Sequence, residues 1–570
     1  MYKTRSMRGM SFMDVIIGTA LMLVVFTALV GLLRSSLQVA SLAKTRAIAT
    51  SIAEGQMEYV RSLTYDSVGT VGGIPAGNIP QNQTVTQNGI AFPVRTFIQY
   101  EDDAADGTGS GDTNGITTDY KRIKVSVTYT VGGASKTIDL VSNYSPQGLE
   151  TTTGGGTLKV SVVNAAGSAV SGASVRILNT TISPSIDLTT FSDVTGTVFL
   201  PGAPTSTQYQ VFVSKSGYSS AQTYARDATN QNPTPGYLTV VKNQTTTGTF
   251  AIDLLSAFTV RSFLPVATST FSDSFANNSN IANTNNTIVS GNSVQLGTDA
   301  NGYVPSGTLR STAISPNYVY QWGTASSTTS LPAGTSIRFH VVDGSGILLP
   351  DTVLPGNATG FTSPVALFDI ATTTYPTLAL SADLLTSATT TTPLLQSWSL
   401  SYARGPVPTG SVAFTLTGAK AIGSTGAGAP IAKTTIADST DAAGSRVLSL
   451  EWDSYSLGLS GYDALDICNA PPYALAPGST SDTSIIIASS TSNMVLVSVV
   501  GSGGALSGAS VTLSKTGYTK TVTTSSCGGA YFGSLSSGTY SLSVVKSGYT
   551  TLNASNISVS GHVFYPASLE

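Results

Sequence analysis

The sequence predicts a multidomain chain: an N-terminal α+β module, made of a long membrane helix plus an antiparallel sheet, followed by all-β sandwich domains. Three observations predict it. An uncharged apolar run at 15–33 stands behind a short basic leader; the remainder of the chain is rich in glycine, serine, threonine and alternating β-branched residues; and one segment recurs in similar form far along the chain. Over 570 residues only 10% are charged, against a usual figure of about 25%, and there are 57 glycines and 25 prolines. That composition favours extracellular β modules, and at this length several of them. A net charge of -3 gives no electrostatic reason to expect a nucleic-acid partner.

The helix comes first. Lys3, Arg5 and Arg8 precede Gly9, Asp14 is the one acid, and the run at 15–33 is about 19 residues, close to the roughly 20 that span a bilayer. A carboxylate at the mouth of such a helix is costly unless it has a partner, so Asp14 is a functional residue by default. An ordinary secretory signal cut near 41–43 leaves Asp14 unexplained, and a plain N-terminal anchor would have Asp14 snorkel to the headgroups. Helical spacing continues without proline to Pro75 through Ile48, Ile52, Tyr59 and Leu63, which predicts one helix over 10–62 with an apolar first half and an amphipathic second. Strands are expected at 90–100, where Pro93 points to an edge, and at 121–130, where Ile123, Val125, Val127 and Tyr129 share a face before the Gly132-Gly133 turn into 137–141.

This arrangement resembles the leader and N-terminal helix of type IV pilins and pseudopilins. The resemblance implies cleavage after Gly9 by a prepilin peptidase, methylation of the new N-terminal Met10, and pairing of Asp14 with a neighbouring subunit's amine during assembly. The family usually has Phe where this chain has Met10 and Glu where it has Asp14. It further implies insertion in a bacterial inner membrane by one helix, then display at the cell surface or in an extracellular filament, with other pilin or pseudopilin subunits as partners.

An acidic loop at 101–119 carries Asp102, Asp103, Asp106, Asp112 and Asp119, oxygen donors of the kind calcium takes. Their register departs from the helix-loop-helix calcium pattern, so a solvated loop is the simpler expectation. No other cofactor is expected. With two cysteines and two histidines there is no Cys/His zinc cluster, and export favours a single Cys468–Cys527 disulfide over two free thiols.

A Thr/Gly tract at 151–156 reads as a flexible linker. Beyond it, VSVVNAAGSAVSGASV at 160–175 returns as VSVVGSGGALSGASV at 497–511, and each copy runs on to Lys-Ser-Gly-Tyr, at 215–218 and 546–549. These repeats resemble carboxypeptidase regulatory-like, immunoglobulin-like modules, which act as non-catalytic spacers and binding domains. Asp193 with Gly196 matches that family's D-x-x-G turn; in the later copy Ser525-Ser526-Cys527-Gly528 holds the place, and the resemblance suggests that the disulfide fixes it. A degenerate copy is expected over 410–462, with Asp441 and Gly444 at the turn and Gly461-Tyr462 at its end. The expected division is leader 1–9, N-terminal module 10–150 with its sheet at 84–146, linker 151–156, sandwich 157–254, jelly-roll or lectin-like sandwich 255–405, β domain 406–490 and sandwich 491–570.

In the middle sandwich Tyr318, Tyr320 and Trp322, with Tyr303 nearby, make a candidate stacking platform for a glycan, though aromatics in sandwiches more often fill the core. Catalytic patterns are missing: no G-x-S-x-G, no P-loop and no H-E-x-x-H. His340 sits in a strand, and Cys527 has no base beside it in sequence. The function expected is a non-enzymatic minor type IV pilin-like subunit that displays β-sandwiches for adhesion to a surface glycan or protein receptor, or for a filament-tip role. Two alternatives stand: a pseudopilin of a type II-like secretion system, and a membrane-anchored glycan hydrolase in the middle domain, since paired carboxylates leave no sequence signature.

Overall fold

The computed structural model describes residues 12–105, 107, 116–146 and 154–570, with the backbone alone at Asp14. The chain divides into two compact units, Met1–Leu255 with Ala421–Ile431, and Ser256–Lys420 with Ala432–Glu570. One long N-terminal apolar helix is followed by many sheets, most of them antiparallel.

Helix α1 runs over Phe12–Arg61, 50 residues, or roughly 75 Å at 1.5 Å per residue. It contains no proline, and its glycines Gly18, Gly31 and Gly55 have open space where a Cβ would stand. Its first half leaves Val15, Leu21, Phe26, Leu33 and Leu37 exposed, whereas Ala49, Ala53, Met57 and Val60 are buried at helical spacing. The small side chains of Ala49 and Ala53 let the helix lie close on a four-stranded antiparallel meander: β1 (Asn82–Gln87), β2 (Ile90–Glu101), β3 (Tyr120–Val131) and β4 (Ala134–Tyr144). Phe92, Val94 and Ile98 of β2 and Ile123, Val125, Val127 and Tyr129 of β3 form the floor beneath it. Pro93 was expected to mark an edge, yet β2 is an inner strand. The β2–β3 register begins at Val94, so at Pro93 only β1 is alongside and no β3 hydrogen bond is forfeited.

The opposite face of β2 meets the first module. Arg95 donates to the Thr189 carbonyl and lies between the rings of Phe97 and Phe191. Gln81 Nε2 donates to the Asp187 carbonyl at 2.8 Å, Asp187 N to the Gly72 carbonyl at 2.9 Å, and Ile74 enters that module's core. The flexible linker expected over 151–156 is therefore corrected at its end: a Cβ on Gly155 or Gly156 would strike the carbonyls of Ala203 and Val241, and Gly156 already belongs to a strand. Residues 151–153 lie outside the described residues.

One module plan occurs three times. In each, the first strand pairs in parallel with the last: Gly156–Val163 with Thr245–Ala251, Ser256–Leu264 with Thr480–Ser489, and Met494–Gly501 with His562–Ser568. The first strand also pairs antiparallel with Thr197–Ala203, Ser445–Leu450 and Gly529–Phe532 respectively. The second sheets centre on Ser174–Asn179, Ala413–Gly418 and Ser510–Lys515. The same turn recurs too. Asp193 Oδ1 accepts from Thr195 N and Thr197 N, Asp441 Oδ1 from Ala443 N and Ser445 N, and Ser525 Oγ from Cys527 N and Gly529 N. Each is closed by a glycine at positive φ, Gly196, Gly444 and Gly528. The Lys-Ser-Gly-Tyr motif acquires a task as well: Lys215 Nζ donates to the Ser171 carbonyl at 2.9 Å and Lys546 Nζ to that of Ser507 at 2.8 Å, each closing the turn before the Gly-Ala-Ser-Val strand.

This equivalence moves a boundary. Ser256–Leu264, expected in the middle sandwich, is the first strand of the second module, with Phe258 and Val260 buried in that module's core. Phe263 and Leu264 pair with Pro408 and Val407. Residues 265–406 are thus an insertion at the hairpin tip that the first module closes with Val163 opposite Ala169 and the third with Val500 opposite Ala505. Such tips tolerate insertion because little of the host's hydrogen bonding crosses them.

The inserted sandwich stacks two antiparallel sheets. One orders Thr287–Ser290, Ser293–Leu296, Leu394–Arg404, Val319–Ser330 and Val365–Ala366, with Ala267–Asp273 also on Leu394–Arg404; the other orders Ile281–Asn285, Ser306–Ser311, Leu378–Thr386 and Thr335–Asp343. Trp322, Trp398, Phe275, Leu309 and Leu384 fill the space between.

Candidate functional site

The helix site is built from α1 itself. The segment has the length and composition of a membrane span, and none of its apolar window is buried against the rest of the chain. Gly9, Met10 and the side chain of Asp14 lie outside the described residues. Below the apolar half, Lys121 of β3 is buried at 1% exposure beneath the chain that leaves α1. Its Nζ donates to the carbonyls of Tyr65 at 2.6 Å and Val68 at 2.8 Å, and lies over the Tyr65 ring at 4.4 Å. Burial pushes its ammonium down to about 8. This lysine locks the helix-to-sheet crossing, a role the sequence does not announce; the signal present was a lysine at an inward position of an alternating strand.

In the acidic loop Asp106 and Asp112 lie outside the described residues. Asp119 Oδ2 accepts from Asp103 N, and Asp103 Oδ1 accepts from Ala105 N at 3.0 Å, so both carboxylates hold backbone. Asp102 is half-buried beside them. Among the described residues no group of three His, Cys, Asp or Glu side chains is placed to hold a metal ion.

Cys468 and Cys527 are joined, with their Cα atoms 4.7 Å apart, and the bridge ties the second module to the turn of the third. That turn is held locally by Ser525 Oγ, in the role of the aspartates, so the disulfide is a tether between modules instead of the turn's fastening. Beside it stands a polar node that the sequence did not disclose. Asp463, buried in the second module, accepts hydroxyl hydrogen bonds from Tyr531 and Thr491, both at 2.6 Å, and faces His562 Nε2 at 3.1 Å. Burial works against its charge, but those hydrogen bonds outweigh it and leave the carboxyl below its usual value. The same burial, with the neighbouring carboxylate, pushes the Tyr531 hydroxyl up to about 12. The clue was an acid at an inward position of Tyr462–Cys468.

The three candidate platform aromatics separate. Trp322 is fully buried, its indole N–H donating to the Tyr375 carbonyl at 2.8 Å and its ring edge-on to Tyr402 at 6.1 Å. It is core, as its size and place in a sandwich favour, and Tyr303 packs against the same core. Tyr318 and Tyr320 stand exposed, as does Phe368, which the sequence did not suggest. His340 Nδ1 bonds the Asn357 carbonyl at 2.6 Å and Nε2 faces Asp383 at 3.2 Å, a bracing role between strand and loop.

No family model matches the sequence. No curated protein matches it either. Among solved structures the chain is similar to the Bacillus anthracis TIE protein, at 10% identity and a TM-score of 0.15, over 86% of this chain and 73% of that one. It is similar to BcpA, the major pilin subunit of Bacillus cereus, at 9% identity and a TM-score of 0.13, over 73% and 99%. It is also similar to GBS52, a minor pilin of Streptococcus agalactiae, at 15% identity and a TM-score of 0.12, over 29% and 85%.

Proposed function

We propose that the chain is a minor type IV pilin-like subunit. It enters the inner membrane through α1, is cut after Gly9 by a prepilin peptidase, and assembles with other pilin or pseudopilin subunits through the same helix, Asp14 meeting a neighbour's N-terminal amine. The observation that carries this is the build of one element: a 50-residue helix whose apolar half is wholly exposed and whose other half is packed on a four-stranded meander. A bare apolar surface of that size needs a membrane or a helix bundle to cover it. The β modules behind it are too bulky for dense tiling along a shaft, which supports a minor, tip-proximal place and a role in adhesion, with the inserted sandwich as the receptor domain. The role is binding and spacing, not catalysis, in keeping with the bracing contacts of both histidines.

Asp14→Ala tests the assembly role. The expected result is a subunit that still inserts in the membrane but no longer reaches the surface; normal surface display would contradict it.

A further inference from the structure

Beyond α1, the aromatic side chains at least half exposed among the described residues are Phe191, Tyr318, Tyr320 and Phe368. Phe191 is covered on one face by Arg95. The other three, at 56%, 62% and 53% exposure, stand on adjoining chain segments: Tyr318 and Tyr320 flank Val319 at the start of Val319–Ser330, and the Phe368 loop is bonded to that strand through Gln321 Nε2 and Leu367 N. From that gathering we infer that Tyr318, Tyr320 and Phe368 form a stacking surface for a neutral polysaccharide.

The backbone beneath each ring is pinned. The Tyr318 carbonyl accepts from Gly405 N at 2.8 Å, that of Tyr320 from Thr372 Oγ1 at 3.4 Å, and that of Phe368 from Gln321 Nε2 at 3.4 Å. Leu367 N donates to the Gly323 carbonyl at 2.8 Å, and buried Trp322 holds the far end of the same loop at Tyr375. The backbone that carries the rings is thus tied to the sandwich, which lowers the ordering cost of binding. Tyr318 holds φ at +58°, a left-handed conformation unfavourable for a bulky residue, while its ring stays in solvent. Strain with no burial in return is characteristic of ligand contacts.

The occupant is set by the chemistry of the patch. Its centre is aromatic and its margin polar, with Gln321 and Asp369 exposed and Thr372 partly so. A sugar ring offers the complement, an apolar C–H face bounded by hydroxyls. Lipid acyl chains or a hydrophobic protein partner would call for a broader aliphatic field than three separate rings. Two of the three rings are tyrosines, amphipathic groups suited to a half-wet contact.

This deepens the adhesin reading of the inserted sandwich and is tested without pilus assembly, so either can fail alone. The full chain in detergent is incubated with cellulose, chitin and β-1,3-glucan and with a printed panel of neutral oligosaccharides. Tyr318→Ala, Tyr320→Ala and Phe368→Ala run alongside, and an unchanged thermal transition certifies their folding. Expected is retention on at least one neutral glycan, weakened about ten-fold by each substitution. No retention on any of them, retention that survives all three substitutions together, or ring-dependent capture by phosphatidylcholine vesicles or by a second copy of the chain would overturn the inference.

Discussion

Lys121 shows how a single buried charge is made tolerable and what pH dependence it then confers. Its ammonium has two carbonyls and a tyrosine face, yet burial still leaves it titrating near 8, where an unfolded chain's lysine titrates at about 10.4. Between those values the unfolded state holds more protons, so stability rises with pH from about 8 to about 10 and is flat below. Amide exchange in β3, followed in the native chain and in Lys121→Met from pH 7 to 10, is expected to show the native chain gaining on the variant as pH rises. A constant gap would mean that burial does not desolvate the lysine. Residues of this kind are only partly legible in sequence. The inward alternation of Ile123, Val125, Val127 and Tyr129 is a local period and was readable, but whether Lys121 lies under a crossing loop depends on where Tyr65 and Val68 arrive. Trp322 and Tyr320 make the same point: both were visible as aromatics, and only the irregular register between Val319 and Gln321 decides that one is core and the other surface.

At the scale of elements, α1 and the meander were legible because their signals are local: no proline, helical spacing, then alternation with a Gly-Gly turn. The second module was not, because its first strand is separated from the rest by 265–406, and hydrogen bonds over that distance leave no periodic trace. The cross-links between the second and third modules belong to this scale too. Cys468 and Cys527 are 59 residues apart, and closing such a loop stabilises by about 4 kcal/mol in the chain-entropy model. Replacing both with serine is expected to lower the urea midpoint of the second and third modules together while leaving the first unchanged, as read by amide exchange. An unchanged midpoint would assign the whole junction to the Asp463 node and the packing of Met494 and Leu496 into the second module's core. Asp463→Ala is expected to cost about 2 to 3 kcal/mol, since it removes the charged acceptor of the Tyr531 and Thr491 hydroxyls and leaves Thr491 only the Asn493 carbonyl at 3.2 Å.

For the molecule as a whole, the insertion has a sharp consequence: the second module is complete without residues 265–406. Replacing them with the Asn-Ala-Ala-Gly-Ser turn that the first module uses at 164–168 is expected to leave the Cys468–Cys527 bridge and the exchange protection of Ser445–Leu450 and Thr480–Ser489 intact. Loss of that protection would mean that the middle sandwich is part of the module's own core. The chain combines one helix with an exposed apolar half, a module plan that occurs three times, and one sandwich inserted at a hairpin tip of the second module. The proposed role depends on what α1 is, and mass spectrometry of the mature N-terminus in the native host tests it most directly. A methylated Met10 is expected, absent when the prepilin peptidase is deleted; a chain that begins at Met1, or one cut near 41–43, would contradict the pilin-like assignment.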